Sequence, residues 1–338
     1  MSGGTINTAS GDGVIARTGA QVTVTGGTIN AGYAGINTAG NVVIGSTSSM
    51  FNHENPVIQG KAYGIYKSNG TWKFYNGIIK GGTDAYTAEP DNIHENYEIY
   101  HSTETIENTT YKTAYLIPQT SNYVQDGLIL HYDAINNTGS GHSNNTTTWK
   151  DLSGNNNDGT IVDGAWNENS IKLSNNNSGI IGNYSDSLKL TDFTIEIMLL
   201  SYTESSNGGL LYDFHTSEES GYFSKIYNNS LLLAFGNTRY NYSYDFINSD
   251  YPIKITITCE KSNDNTRISI NGINSDNHTG NVNIEKAQTS TFGILNNDAR
   301  NEGVYLGEMG NFKIYNRALT DAEVLQNYNV DKARFNIE

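Results

Sequence analysis

Apolar residues in this chain recur at every second position in short runs, and that period dominates most of its length. Leu128, Leu130 and Tyr132 share one face of residues 127–133. Residues 193–199 read Phe-Thr-Ile-Glu-Ile-Met-Leu, and Ile253, Ile255, Ile257 and Cys259 line up in the same way. Such alternation marks half-buried strands, because successive side chains point to opposite faces of a sheet. Asn271-Gly272 stands between Ile270 and Ile273, and both residue types accept the positive φ of a type I′ turn, so a hairpin is predicted there. One stretch departs from the period of two. Phe312 and Ile314 alternate with Lys313 and Tyr315, an Asn316-Arg317 turn follows, and then Thr320 and Glu323 stand at capping-box spacing. Leu319 and Val324 occupy the two positions of a hydrophobic staple. The pattern predicts an all-β protein with one short helix near its end.

The first 82 residues repeat. Gly13-Val14, Gly35-Ile36 and Gly64-Ile65 open three similar units, 22 and 29 residues apart. Each runs on to a further glycine (Gly19, Gly40, Gly70) and an alternating strand: 22–24, 42–44 and 72–74. The five residues GGTIN occur twice, at 3–7 and 26–30. The longer spacing places a loop at 46–55. Repeats of roughly 20–30 residues built from short strands and glycine corners predict stacked rungs. Residues 83–118 depart from the repeat and read as a cap over the last rung, since an open sheet edge must be covered. Residues 119–123 read as a linker. The chain begins inside a repeat, which suggests a longer parent protein.

Composition narrows the function classes. Only 16% of the 338 residues are charged, against about 25% in an average domain. The net charge of −15 argues against a nucleic-acid partner, because phosphate binding rests on Lys and Arg, and it disfavours an anionic membrane surface for the same reason. No apolar run reaches the ~18 residues of a membrane span, so no membrane insertion is expected. The one cysteine, Cys259, shares its face with isoleucines and reads as a small buried hydrophobe.

Residues 307–328, GEMGNFKIYNRALTDAEVLQNY, resemble the closing segment of LamG-like, concanavalin A-like jelly-roll domains, whose last core strand reads IYNRALS before a short helix. The opening GLILHYDA at 127–134, with Trp149, the run DLSGN at 151–155 and NDGT at 157–160, is similar to that family's opening. Residues 193–197 match its FTIE strand, with Met198 where Trp is usual. The resemblance covers nearly all of 124–338 and implies a two-sheet antiparallel jelly-roll sandwich. Residues 1–82 resemble the right-handed parallel β-helix repeats of bacterial surface proteins, in the pectate-lyase-like group. The expected fold is therefore all-β: a short parallel β-solenoid with its cap over 1–118, then a jelly roll with one C-terminal helix over 124–338.

Catalytic constellations are weak. A glycosidase needs two carboxylates about 5–9.5 Å apart across the scissile bond. Glu196 lies on a suitable strand, but Met198 follows where the second acid of an E-x-D-x-x-E strand would begin, so Glu196 reads as an exposed or satisfied strand residue. A lyase needs a base beside Ca2+-binding acids; the only Arg in residues 1–82 is Arg17, and the acids there are Asp12 and Glu54. The run 151–158 has the oxygen-rich wording of a Ca2+ loop but lacks a Glu at its twelfth position and reads as a turn. The acidic loops 213–219 and 296–302 make Asp213, Asp298 and Glu302 the metal candidates, and Ca2+ on such loops is what the family resemblance implies. Tyr240, Tyr242 and Tyr244 alternate with Asn241, Ser243 and Asp245. Rings stack on sugar faces while amides and acids bind hydroxyls, so Tyr240, Asn241, Tyr242, Tyr244 and Asp245 are the ligand candidates; the bland alternative packs the tyrosines into the sandwich.

The expected function is a non-catalytic surface or adhesion module that binds a glycan or a cell-surface protein, outside the cell, at its surface or on a virion. The alternatives are a fragment of a polysaccharide-degrading enzyme and a phage tail fibre or spike component.

Overall fold

The glycines that open each repeat stand in one column, and that column explains the motif. A Cβ on Gly13, Gly35 or Gly64 would lie 2.5, 2.7 or 2.3 Å from the Cγ2 of Ile29, Ile58 or Ile79. Only glycine lets the strand pass so near the isoleucine column of the adjoining sheet. These positions belong to a computed structural model that describes residues 1–47, 54–175, 177–183, 188, 190–203, 208–214, 222–235, 238–279, 291–294 and 305–337. The chain separates into two units, residues 1–122 and 123–338.

In the first unit each turn of chain adds one strand to each of three parallel sheets. Ser2–Asn7, Gly26–Ala31, Val57–Gly60 and Ile78–Gly81 form the first, and Val14–Ala16, Ala34–Thr38, Tyr63–Lys67 and Asp84–Tyr86 the second. Gln21–Val24, Asn41–Ile44, Thr71–Phe74 and Asn92–Ile93 form the third. Registers are kept from turn to turn: Ile6, Ile29, Ile58 and Ile79 pair in one ladder, and Val14, Ile36, Ile65 and Tyr86 in another. Val24, Ile44, Phe74 and Ile93 make the third. These columns, with Trp72, meet in one apolar core. The strands Tyr97–Ile106 and Thr109–Pro118 form an antiparallel hairpin turned at Glu107 and Asn108, both at positive φ, and the second of them pairs with Ile78–Gly81.

Two readings of the sequence are corrected here. The repeat does not stop at residue 82: Asp84–Tyr86 and Asn92–Ile93 extend two of the ladders before the hairpin begins. They escape a pattern search because they are three and two residues long, with Ala85 in the glycine column. Each turn also holds a third strand. The two GGTIN segments lie within such strands, but their successors VIQG and IIKG share only the ladder position. The predicted loop at 46–55 falls in part on residues 48–53, outside the described residues.

Among the described residues, the second unit has two antiparallel sheets of eight strands, in a jelly-roll-like sandwich. The order in one is Gly164–Asn167, Ser170–Leu173, Leu306–Tyr315, Phe193–Thr203, Ile253–Glu260, Asn265–Ile270 and Ile273–Thr279, with Leu128–Asp133 also paired to Leu306–Tyr315. In the other it is Thr148–Trp149, Gly159–Val162, Gly179–Asn183, Thr291–Ile294, Gly209–Asp213, Tyr222–Tyr227, Ser230–Phe235 and Thr238–Ser243. The alternating residues read from the sequence face inward: Leu130, Tyr132, Phe193, Ile195, Ile197, Ile253, Ile255, Ile257, Cys259, Phe312 and Ile314 are one core with Trp149. Asn271 and Gly272 turn the predicted hairpin at φ 52° and 76°. Tyr123, assigned to a linker from the sequence, is buried in this unit, its hydroxyl donating to Asp331.

The closing helix spans Asp321–Arg334 and has the complete capping box, with Thr320 Oγ1 accepting from Glu323 N and Glu323 accepting from Thr320 N. Leu319 and Val324 are buried together with Val124 and Tyr315. Arg317 adds what spacing could not show. Its guanidinium grips both oxygens of Glu323 at 3.0 and 2.6 Å, and this partner first, then the capping bonds, hold the Glu323 carboxyl down to about 2 against a partial burial that opposes the shift. Thr320→Ala removes the cap oxygen and is expected to cost about 0.5–2 kcal/mol, the usual loss at an N-cap. Differential scanning calorimetry of the intact chain reads this as a lower Tm for one transition; an unchanged Tm would show that the Arg317–Glu323 pair alone holds the helix start.

Candidate functional site: a cleft between two sheet edges

The edge strand Thr238–Ser243 of one sheet and the edge strand Ile273–Thr279 of the other run along the same side of the sandwich. Their side chains meet across the gap: the rings of Tyr240 and His278 lie 3.8 Å apart between centroids, tilted by 55°. A cleft of about 200 Å³ opens there. Leu233, Thr266 and Ile268 form its floor, and Arg239, Tyr240, Asn241, Tyr242, Asp276 and His278 its polar and aromatic walls. The hydroxyl of Tyr240 is buried and makes no hydrogen bond within the protein. The Thr266 hydroxyl turns instead to the sulfur of its cross-strand neighbour Cys259. Burial raises the Tyr240 hydroxyl above an ordinary phenol, so it stays a neutral donor. A buried polar group without a partner is costly, and one that faces a cleft can be satisfied by what enters it.

The five ligand candidates divide between two places. Tyr240, Asn241 and Tyr242 line the cleft. Tyr240, Tyr242 and Tyr244 all pack partly against the sandwich core, as the bland alternative requires, and Tyr244 lies between Tyr242 and Phe246 rather than on the cleft wall. Asp245 also lies off the wall. Its carboxylate accepts from Asn229 Nδ2 and from the backbone and side-chain amides of Asn248, and these bonds hold its pKa down. It ties a turn. Arg239, Thr266, Asp276 and His278 were missed from the sequence. Ile273–Thr279 is exposed along its whole length, so it carries no apolar period, and only adjacency to the Asn271-Gly272 turn could have flagged it.

Of the metal candidates, Asp213 ends the strand Gly209–Asp213 and is buried, whereas Asp298 and Glu302 lie outside the described residues. Among the described residues no three His, Cys, Asp or Glu side chains converge in a way that could hold an ion. Asp151, in the oxygen-rich run, spends its carboxylate on the backbone amides of His131, Ser153 and Asn157 and on the Ser153 hydroxyl. That run is a turn, as read.

Glu196 is fully buried, which corrects the exposed alternative. The strand face it occupies lies under the closing helix, where Lys254 reaches Glu196 at 3.1 Å and Asp331 at 2.6 Å. Lys313 reaches the same two acids at 3.5 and 3.3 Å and lies 3.9 Å above the Tyr123 ring. Asn327 of the helix donates to Glu196 and to the Tyr315 hydroxyl, while Arg334 pairs with Asp133 at 2.8 Å. Burial alone would raise the Asp331 carboxyl and lower Lys254, but their mutual attraction, with Lys313 and Glu196, reverses both. Lys313 is held low by burial and by the Lys254 charge, and burial keeps the His131 imidazole well below its usual range. This layer bolts the helix to the sheet, and Glu196 has no path to a substrate.

Residues 168–325 match the family model of the concanavalin A-like lectin/glucanases superfamily, so the second unit carries a domain of that type. Among solved structures the chain is similar to the binding domain of Paraclostridial Mosquitocidal Protein 1, at 23% identity over 61% of this chain and 52% of that one, with a TM-score of 0.45. It is also similar to the receptor binding domain of botulinum neurotoxin C/D mosaic serotype, at 17% identity over 61% and 52%, TM-score 0.47. The binding domain of botulinum neurotoxin DC in complex with rat synaptotagmin II aligns at 19% identity over 61% and 52%, TM-score 0.47. The chain spans about half the length of these structures. No curated protein matches it.

Proposed function

We propose that this protein is a non-catalytic binding module whose concanavalin A-like unit holds the end of a glycan in the cleft between the Thr238–Ser243 and Ile273–Thr279 edges. The observation that carries the reading is the buried, unpartnered hydroxyl of Tyr240 in a cleft walled by rings, an amide and two charged side chains. A sugar supplies what such a wall lacks: a hydroxyl for the orphaned phenol and C–H faces for the rings. The cleft's 200 Å³ is below the ~300–1,000 Å³ of ordinary small-molecule pockets, which suits one sugar residue rather than a long chain threaded through it. Among the lining residues Asp276 is the one carboxylate, whereas glycoside hydrolysis in its usual form asks for two. The stacked parallel ladders of the first unit support a short right-handed β-helix that serves as a stalk. Such a module works where glycans are displayed, at a cell surface or on a virion.

A glycan array probed with the intact chain identifies the ligand, and titration calorimetry then weighs the wall. Asn241→Ala and Asp276→Asn, both on exposed edges, are each expected to weaken binding about three- to tenfold, the loss of one net hydrogen bond of roughly 0.5–1.5 kcal/mol. Binding indifferent to both substitutions would move the ligand away from this cleft.

A further inference from the structure

The first unit carries a cluster that its apolar core does not use. The rings of Tyr33, Tyr63 and Tyr66 gather on the outer side of the sheet that contains Ala34–Thr38 and Tyr63–Lys67. Their centroids are 5.9 Å (Tyr33–Tyr63), 6.1 Å (Tyr33–Tyr66) and 5.6 Å (Tyr63–Tyr66) apart. Their planes are inclined by 83°, 48° and 56°, so the rings make the walls of a shallow cup rather than a flat stack. Tyr33 is 43% exposed, and the described structure gives none of the three hydroxyls a hydrogen bond.

The backbone sets this cup firmly. Tyr63 pairs in register with Ala34, whose small side chain leaves room for Tyr33 beside it, and Tyr66 pairs with Asn37. Asn37 in turn pairs with Ile15, which is 61% exposed. At the rim Asn37 Nδ2 donates to Asp12 Oδ2 at 2.8 Å, and the other Asp12 oxygen accepts from Ala34 N. Burial chiefly, then the neighbouring phenols and Asp12, push the Tyr33 hydroxyl up, so it remains a neutral donor. Half-exposed rings with free hydroxyls, an amide at the rim and a backbone locked by parallel ladders form a preorganised surface for a molecule with apolar faces and polar edges.

We propose that Tyr33, Tyr63 and Tyr66 form a second carbohydrate-binding surface, independent of the cleft in the other unit, and that it takes a neutral β-linked oligosaccharide of gluco configuration. Such rings carry every hydroxyl at the equator and present axial C–H groups on both faces, which is the complement of a tyrosine cup. The charge nearby selects against acidic sugars, because the Asp12 carboxylate is at the rim and is met there by amides rather than by a cation.

The test uses the intact chain and titration calorimetry with cellohexaose, with a β-1,4-galactan hexasaccharide and an oligogalacturonate as comparators. Cellohexaose is expected to bind best and the oligogalacturonate least. Tyr63→Ala and Tyr66→Ala are each expected to lose about tenfold or more in affinity, the effect of removing one stacking ring, while Tyr63→Phe stays within about threefold. Far-UV circular dichroism and the melting profile separate this from misfolding. Three outcomes overturn the proposal: no binding of cellohexaose to the wild-type chain, binding unchanged in Tyr63→Ala and Tyr66→Ala, or binding lost on Asn241→Ala but kept in both tyrosine variants. The last would place the same sugar in the cleft, and so leave the reading of that cleft standing.

Discussion

Asp331→Ala is expected to destabilise the second unit by about 3–5 kcal/mol, the cost of breaking a buried ion pair from one side. Asp331 is fully buried and accepts from Tyr123 and Asn311 as well as from the two lysines. Its loss leaves Lys254 and Lys313 facing each other with Glu196 as their remaining acid. Two buried ammonium groups with too little counter-charge must deprotonate or draw in water, and either costs free energy. The measurement is chemical denaturation of the intact chain followed through both transitions; a shift below about 1 kcal/mol would mean that water already reaches the layer. The same layer fixes the direction of the pH dependence. The Asp331 carboxyl is depressed in the fold, so its contribution is complete above the unfolded value of about 3.9 and is lost as pH falls through the folded value. His131 is also depressed, so the unfolded chain takes up a proton below about pH 6.5 that the folded chain refuses. Both effects weaken the fold on acidification. The melting temperature of this unit should therefore begin to fall near pH 6.5 and drop more steeply below pH 4, with Asp331→Ala removing part of the steeper fall and the Arg317-held Glu323 carboxyl keeping the rest.

Phe312→Ala is expected to cost about 3–5 kcal/mol, as removal of a buried aromatic ring does. Phe312 pairs with Tyr132 on one side and Ile197 on the other, in the strand that joins most of its sheet together. Across the sandwich its ring meets Tyr212 edge-on at 6.2 Å. The hole would sit at the centre of the core, bounded by strands held on both sides, where collapse is difficult. Phe312→Leu keeps most of the volume and should lose less than half as much, which calorimetry can rank. Equal melting temperatures for Phe312→Ala and wild type would remove this strand from its central place. The cleft lies at the sheet edges, away from this ring, so a folded Phe312→Ala protein should keep the affinity of any ligand proposed for that cleft.

The amino-acid order by itself determined what depends on near neighbours. Alternation named the inward residues at 130–132, 193–199 and 253–259, because the period of two is a property of the strand alone. It failed at Leu128, where a bulge before Leu130 turns the side chain to the cluster of Val124 and Leu319 instead. Thr320 and Glu323, Leu319 and Val324, and Asn271-Gly272 were legible because a cap, a staple and a tight turn each close within a few residues. The Gly-aliphatic repeat was legible too, though its cause, the isoleucine column in the next sheet, was not. Tertiary structure decided everything that joins distant segments. Glu196, Lys254 and Lys313 occupy the strand face that alternation assigns to water, and a helix closing over them from more than a hundred residues beyond Glu196 turned that face into a buried ionic layer. The cleft is assembled from two edge strands, one of them without any apolar period, so that Tyr240 meets His278 only when both sheets are in place. Periodicity reports which way a side chain points relative to its own sheet; what comes to lie against it is fixed by the packing of elements far apart in the chain, and that packing made both the latch and the site.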